Sequence, residues 1–173
     1  ISILMCFIFN PLIGLINTGL SNGLTAISDA GYITVLGLIL GAMMAIDMGG
    51  PINKAAYVFG TGVLATASQM IEKGAQPGDP AVQACYIAMA AIMVGEGAIP
   101  FAAADPLHVI PCTLIGAGVA GFLSALFKCT LMAPHGGIFV FATVGHPLLY
   151  ILAWAVGSFI TAVLLGLIKK DAE

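Results

Sequence analysis

Apolar runs roughly as long as a bilayer is thick fill this sequence, and three short polar segments built on glycine and proline part them. They read Asp47-Met48-Gly49-Gly50-Pro51-Ile52-Asn53-Lys54, Gly95-Glu96-Gly97-Ala98-Ile99-Pro100-Phe101, and Ala133-Pro134-His135-Gly136-Gly137. Each sets a titratable residue beside residues that interrupt regular backbone. In hydrocarbon, charge and broken backbone are both costly, so they are expected where they line a cavity or a pathway.

Composition narrows the fold class. The chain is 60% hydrophobic and 8% charged, with a mean hydropathy of +1.09. An ordinary soluble domain carries about 25% charged residues, so this chain has too little polar surface to cover itself. At ~20 residues per crossing, its length predicts an all-α integral membrane protein of about five transmembrane helices, and the Gly/Pro segments that part the runs predict broken helices and re-entrant hairpins. The net charge of −3 arises from few groups and points to no nucleic acid. Arginine, the usual bidentate grip on phosphate, is absent, which favours a neutral solute, although Lys54 and helix N-termini also bind anions. Cys6, Cys85, Cys112 and Cys129 show no CxxC spacing and read as packing residues. No cofactor or metal set is legible: there is no HExxH, and no two histidines share a helical face.

The apolar runs cover about Ile3 to Leu20, closing in Ser21-Asn22-Gly23, then Tyr32 to Met48, Pro51 to Ile71, Ala81 to Val94, Leu107 to Phe127 and Pro147 to Ile168. Glu72 to Pro80 carries the strongest turn chemistry and is expected outside the membrane. Gly116, Gly118, Ala120 and Gly121 would let helix backbones approach closely. Lys169-Lys170 places the C-terminus in the cytoplasm. The stretch from Lys128 to His146 either crosses the bilayer or dips in and returns. No charged segment precedes the first run, and the chain is expected to be a piece of a longer polypeptide.

The polar segments carry the candidate site. A helix should stop at Gly49-Gly50 and another start at Pro51, leaving a half-helix end inside the protein, where transporters commonly place substrate. Asn53 would hydrogen-bond a polyol, and Asp47 and Lys54 are near enough to neutralise each other. The alternative is a surface turn with both charges in water. Glu96, flanked by glycines and followed by Pro100, should sit where its helix opens, its two oxygens free for sugar hydroxyls; the alternative is a helix-end carboxylate at headgroup level. Residues 98–106 read as a short re-entrant helix closed by Asp105-Pro106, with Asp105 a cap and His108 at an interface. His135 would bind substrate or exchange a proton, or simply stiffen a loop.

These segments also resemble a known family. Gly41 to Ala55, Glu96 to Pro106 and Ala133 to Val140 are similar, in order, to stretches of the fructose-type enzyme IIC of the bacterial phosphotransferase system, and the similarity runs from about Pro11 to Lys170. Met93-Val94-Gly95 replaces the family's Gly-Ile-Thr, and His108 stands where the family often has arginine. The resemblance implies a permease domain in the bacterial cytoplasmic (inner) membrane, carrying fructose or a similar hexose. The sugar is phosphorylated by a IIB domain supplied through IIA and HPr, and the full-length protein is a homodimer. By the same resemblance residues 1–173 form a partial enzyme IIC domain, without its N-terminal spans or IIA and IIB. Glu96 is implied at the sugar site, and Asn53, Asp47, Lys54, His135, Gly50 and Pro100 complete the candidate set. Nothing in the chain serves as phosphoryl donor, so it is at most the membrane subunit of a protein-phosphohistidine–sugar phosphotransferase. The rival reading is an ion-coupled secondary transporter using Asp47 and Glu96.

Overall fold

The computed structural model describes residues 5–92, 99–133 and 143–168. Prolines and glycines punctuate it. A wide π-type turn over Met5–Phe9 leads into α1 (Asn10–Asp29), where Pro11 occupies the first turn and its missing N–H costs nothing. α2 (Ile33–Ile46) ends at the Asp47 turn, and α3 (Pro51–Glu72) opens on a proline. After a polar loop come α4 (Pro80–Ile92), the one-and-a-half-turn α5 (Ile99–Ala104), α6 (Pro106–Leu126) and α7 (Pro147–Ile168). Among the described residues the only β pairing is a single antiparallel bridge between Leu131 and Val144.

Two boundaries differ from expectation. α1 runs straight through Ser21-Asn22-Gly23 to Asp29, and the chain turns only at Gly31, where φ is +79°. Two hydroxyls of α1 find partners inside the helix: Thr18 donates to the Gly14 carbonyl and Thr25 to the Ser21 carbonyl. The second difference is one of length. α6 and α7 alone among the described helices are both long and apolar enough to cross a bilayer. α1 and α3 have the length without that hydropathy, while α2 and α4, at 14 and 13 residues, fall short of a hydrocarbon layer ~30 Å thick at ~1.5 Å per residue.

Helix packing rests on the small residues. A methyl group on Gly41 would strike the Ala117 carbonyl, and one on Gly121 would strike that of Gly37, so α2 and α6 cross in backbone contact. α6 meets α7 the same way, with Gly116 against Gly157 and Thr161. Half of the apolar stretch of α6 is buried inside the protein, against 11% of that of α7. α6 is thus the central helix and α7 an outer one.

Two apolar clusters fix what surrounds the break between α2 and α3. Leu36, Leu40, Met43 and Met44 of α2 pack with Ala55, Ala56 and Phe59 of α3 and with Ala88 and Ala91 near the end of α4. Met89 and Ala90, on the other side of α4, join Cys129, Leu131, Val144 and Tyr150. There Leu131 N–H donates to the Tyr86 carbonyl, Gly145 N–H to the Thr130 carbonyl, and the Tyr150 hydroxyl to the Ala90 carbonyl at 3.1 Å. Leu131 and Val144 lie side by side, and residues 134–142, which decide between the two readings of Lys128 to His146, lie outside the described residues.

Candidate functional site

The discontinuity between α2 and α3 is built by three side-chain hydrogen bonds. Stopping α2 at Ile46 orphans carbonyls such as that of Met44, and starting α3 at Pro51 orphans its first N–H groups. The turn folds Asp47 back over the second end. Its Oδ2 accepts from Ile52 N–H and its Oδ1 from Asn53 N–H, both at 2.8 Å. Asn53 answers across the gap, its Nδ2 donating to the Met44 carbonyl at 2.8 Å. The half-buried Asp47 carboxylate thereby caps α3 with charge-assisted bonds, on the side where the helix dipole favours negative charge.

The turn needs an unusual backbone. Gly50 N–H donates to the Asp47 carbonyl at 3.1 Å, while Met48 has φ +37° and Gly49 φ +118°. A side chain at Gly50 would collide with the Asp47 carboxylate, so glycine at 50 makes room for the cap. Lys54, one turn into α3, is exposed, and no ion pair joins it to Asp47 among the described residues. The expected neutralisation across the break is replaced by capping, because the turn aims the carboxylate at backbone N–H groups.

The remaining candidates are placed unevenly. Glu96 and His135 lie outside the described residues. Pro100 lies within α5, whose existence matches the expected short helix at 98–106. Asp105 sits between α5 and α6 with φ −148° and ψ 76°, its carbonyl accepting from Val109 N–H. Its carboxylate meets His108 Nδ1 at 2.9 Å in a half-exposed pair. Ala88 and Ala91, in the last turns of the helix that precedes Glu96 in sequence, belong to the same apolar cluster as Met44 and Ala55, which flank the α2–α3 break.

Sequence reading assigned Asn53 a polyol and missed the Met44 carbonyl as its partner. The available signal was the orphaned end of α2 itself, which needs a donor. Cys112 and Cys129 are buried free thiols. Cys129 packs among Met89, Leu131, Val144 and Tyr150, as a small apolar side chain would.

Apolar helices in backbone contact and a capped discontinuity between α2 and α3 define the class: an all-helical protein, two of whose helices are long and apolar enough to cross a membrane, built on a broken helix. Known proteins then give the family. The chain is 42% identical to the "Fructose permease IIC component" of Bacillus amyloliquefaciens, with 99% of the chain and 63% of that protein covered. It is 41% identical to the "PTS system fructose-specific EIIABC component" of Bacillus subtilis, covering 97% of the chain and 30% of that protein. To the "PTS system fructose-specific EIIB'BC component" of Escherichia coli it is 34% identical, over 92% of the chain and 32% of that protein. The chain belongs to the fructose-type enzyme IIC family of the bacterial phosphotransferase system. It spans between about a third and somewhat under two thirds of the length of these relatives. The two Bacillus alignments run to 191 and 194 positions against a chain of 173 residues, so those relatives carry extra residues inside the matched region. No family profile and no solved structure matches the chain.

Proposed function

We propose that this chain is the sugar-translocating part of a fructose permease, working in a bacterial cytoplasmic membrane with its C-terminus inside. The observation that carries the reading is the 34–42% identity, over nearly the whole chain, to proteins whose names specify fructose and a IIC component. The broken α2–α3 pair supports it from the side of the fold, since discontinuous helices are where transporters present polar backbone to a solute.

In this reading the protein makes about five crossings with re-entrant passes at 98–106 and 128–146. Glu96 is the principal sugar ligand, its two oxygens accepting from hydroxyls. His135 and Lys54 complete the polar lining, while Asp47, Gly50, Asn53 and Pro100 shape the half-helix ends. The site faces the two sides of the membrane in turn. A IIB domain, supplied through IIA and HPr, phosphorylates the sugar at the inner face, and the assembly is a homodimer. The chain itself supplies selection and passage, and the partner supplies the phosphoryl group.

The test follows labelled fructose into membrane vesicles carrying the protein and its soluble phosphotransferase partners. Accumulation of fructose phosphate should require phosphoenolpyruvate. Glu96→Gln, which keeps shape and removes charge, should lower sugar affinity by at least about tenfold with normal membrane insertion. Uptake that needs a proton gradient and no phosphoenolpyruvate would overturn the proposal.

A further inference from the structure

We infer that Asp47 and Asn53 are positioning residues: together they form a two-way latch that fixes the break between α2 and α3, and they act on the sugar site through backbone geometry. The inference deepens the permease reading and, for its effect on sugar, rests on it. Three observations carry it. Both carboxylate oxygens of Asp47 are engaged by the first free N–H groups of α3, at 2.8 Å each. The Asn53 amide is committed in the opposite direction, closing the last turn of α2 through the Met44 carbonyl. The turn that allows this is held in two consecutive left-handed residues, Met48 and Gly49, with a glycine at 50 where any side chain would displace the carboxylate.

The bonds run in opposite senses across one gap. Asp47 belongs to the end of α2 and holds α3; Asn53 belongs to α3 and holds α2. Neither helix end can swing away without breaking bonds contributed by both. With Asp47 seated on it, the α3 terminus also offers little positive potential to an anion. The latched break therefore suits a neutral solute better than a phosphorylated one.

Two readouts on the intact protein test this. The first is hydrogen–deuterium exchange of the peptide containing Ile52 and Asn53, without sugar. Asp47→Ala should speed exchange of those two amides about tenfold, and Asp47→Asn, which keeps one carbonyl acceptor, should fall between. The second is the fructose KM for phosphoenolpyruvate-dependent phosphorylation in vesicles. It should rise severalfold in Asp47→Ala and in Asn53→Ala and be partly recovered in Asp47→Asn.

Faster exchange with an unchanged KM would mean the latch is only structural and would overturn the positioning role. A raised KM with exchange as slow as wild type would make Asp47 a direct sugar ligand, which also overturns it. Unchanged values of both remove the latch altogether. Asp47→Asn, nearly isosteric, keeps the test valid if the alanine variant fails to fold. Wild-type protein that turns over no fructose would overturn the permease reading, while the exchange contrast would still decide the latch.

Discussion

At the scale of single residues, the backbone of the break is more demanding than its side chains. Gly49 has φ +118° and open space where a methyl group would point, so nothing but conformation opposes a larger residue there. Gly49→Ala should cost about 2 kcal/mol, the usual size of a disfavoured backbone conformation. The apparent unfolding midpoint in detergent should fall by about 6 °C. The presence of a turn here was legible, since Gly-Gly-Pro both ends and starts helices. The use of Asp47 was not. A carboxylate cap ordinarily stands immediately before the helix, where this chain has Gly50. Asp47 reaches the same N–H groups from farther back only because the left-handed Met48-Gly49 pair folds the chain over, and no local pattern of residue types announces that.

At the scale of elements, the small residues of α6 were read correctly as contact points, because close helix approach in an apolar setting requires them. The structure adds which neighbour each one meets. Gly121 faces the backbone of Gly37 and Gly41 on α2, whereas Gly14 on α1 has nothing within 4 Å. The same substitution should therefore have opposite signs at the two places. Gly121→Ala forces two backbones apart and should destabilise by about 3 kcal/mol. Gly14→Ala gains helix propensity and should stabilise by about 0.7 kcal/mol. Equal effects in thermal unfolding would show that α2 and α6 do not cross where the structure places them. The end of α1 escaped sequence reading for a related reason. Ser21, Asn22 and Gly23 look like a turn, yet the helix continues through them: the Thr25 hydroxyl donates back to the Ser21 carbonyl, and Leu24 anchors that region in the core. Composition marks breakers by frequency; tertiary anchoring decides whether they break anything.

At the scale of the whole molecule, the apolar surface is distributed unevenly. α6 is enclosed by α2 and α7, while α7 turns most of its apolar side chains outward, with Leu148 81%, Phe159 70% and Leu167 74% exposed. Such a face calls for lipid or another protein surface against it. Trp154, the chain's one tryptophan, lies on this outward surface with half its area exposed. It stands seven residues into a 22-residue helix, about 10 Å from that end at ~1.5 Å per residue, and hence inside a hydrocarbon layer ~30 Å thick if α7 spans it. Its fluorescence therefore reports what covers α7. In bilayers containing phospholipids brominated along their acyl chains, Trp154 emission should be strongly quenched, and more by bromines on the chains than by a water-soluble quencher. Strong quenching by the aqueous agent would place α7 outside the hydrocarbon. Protection from both would mean that protein covers this face, and α7 would then be an inner helix of a larger assembly.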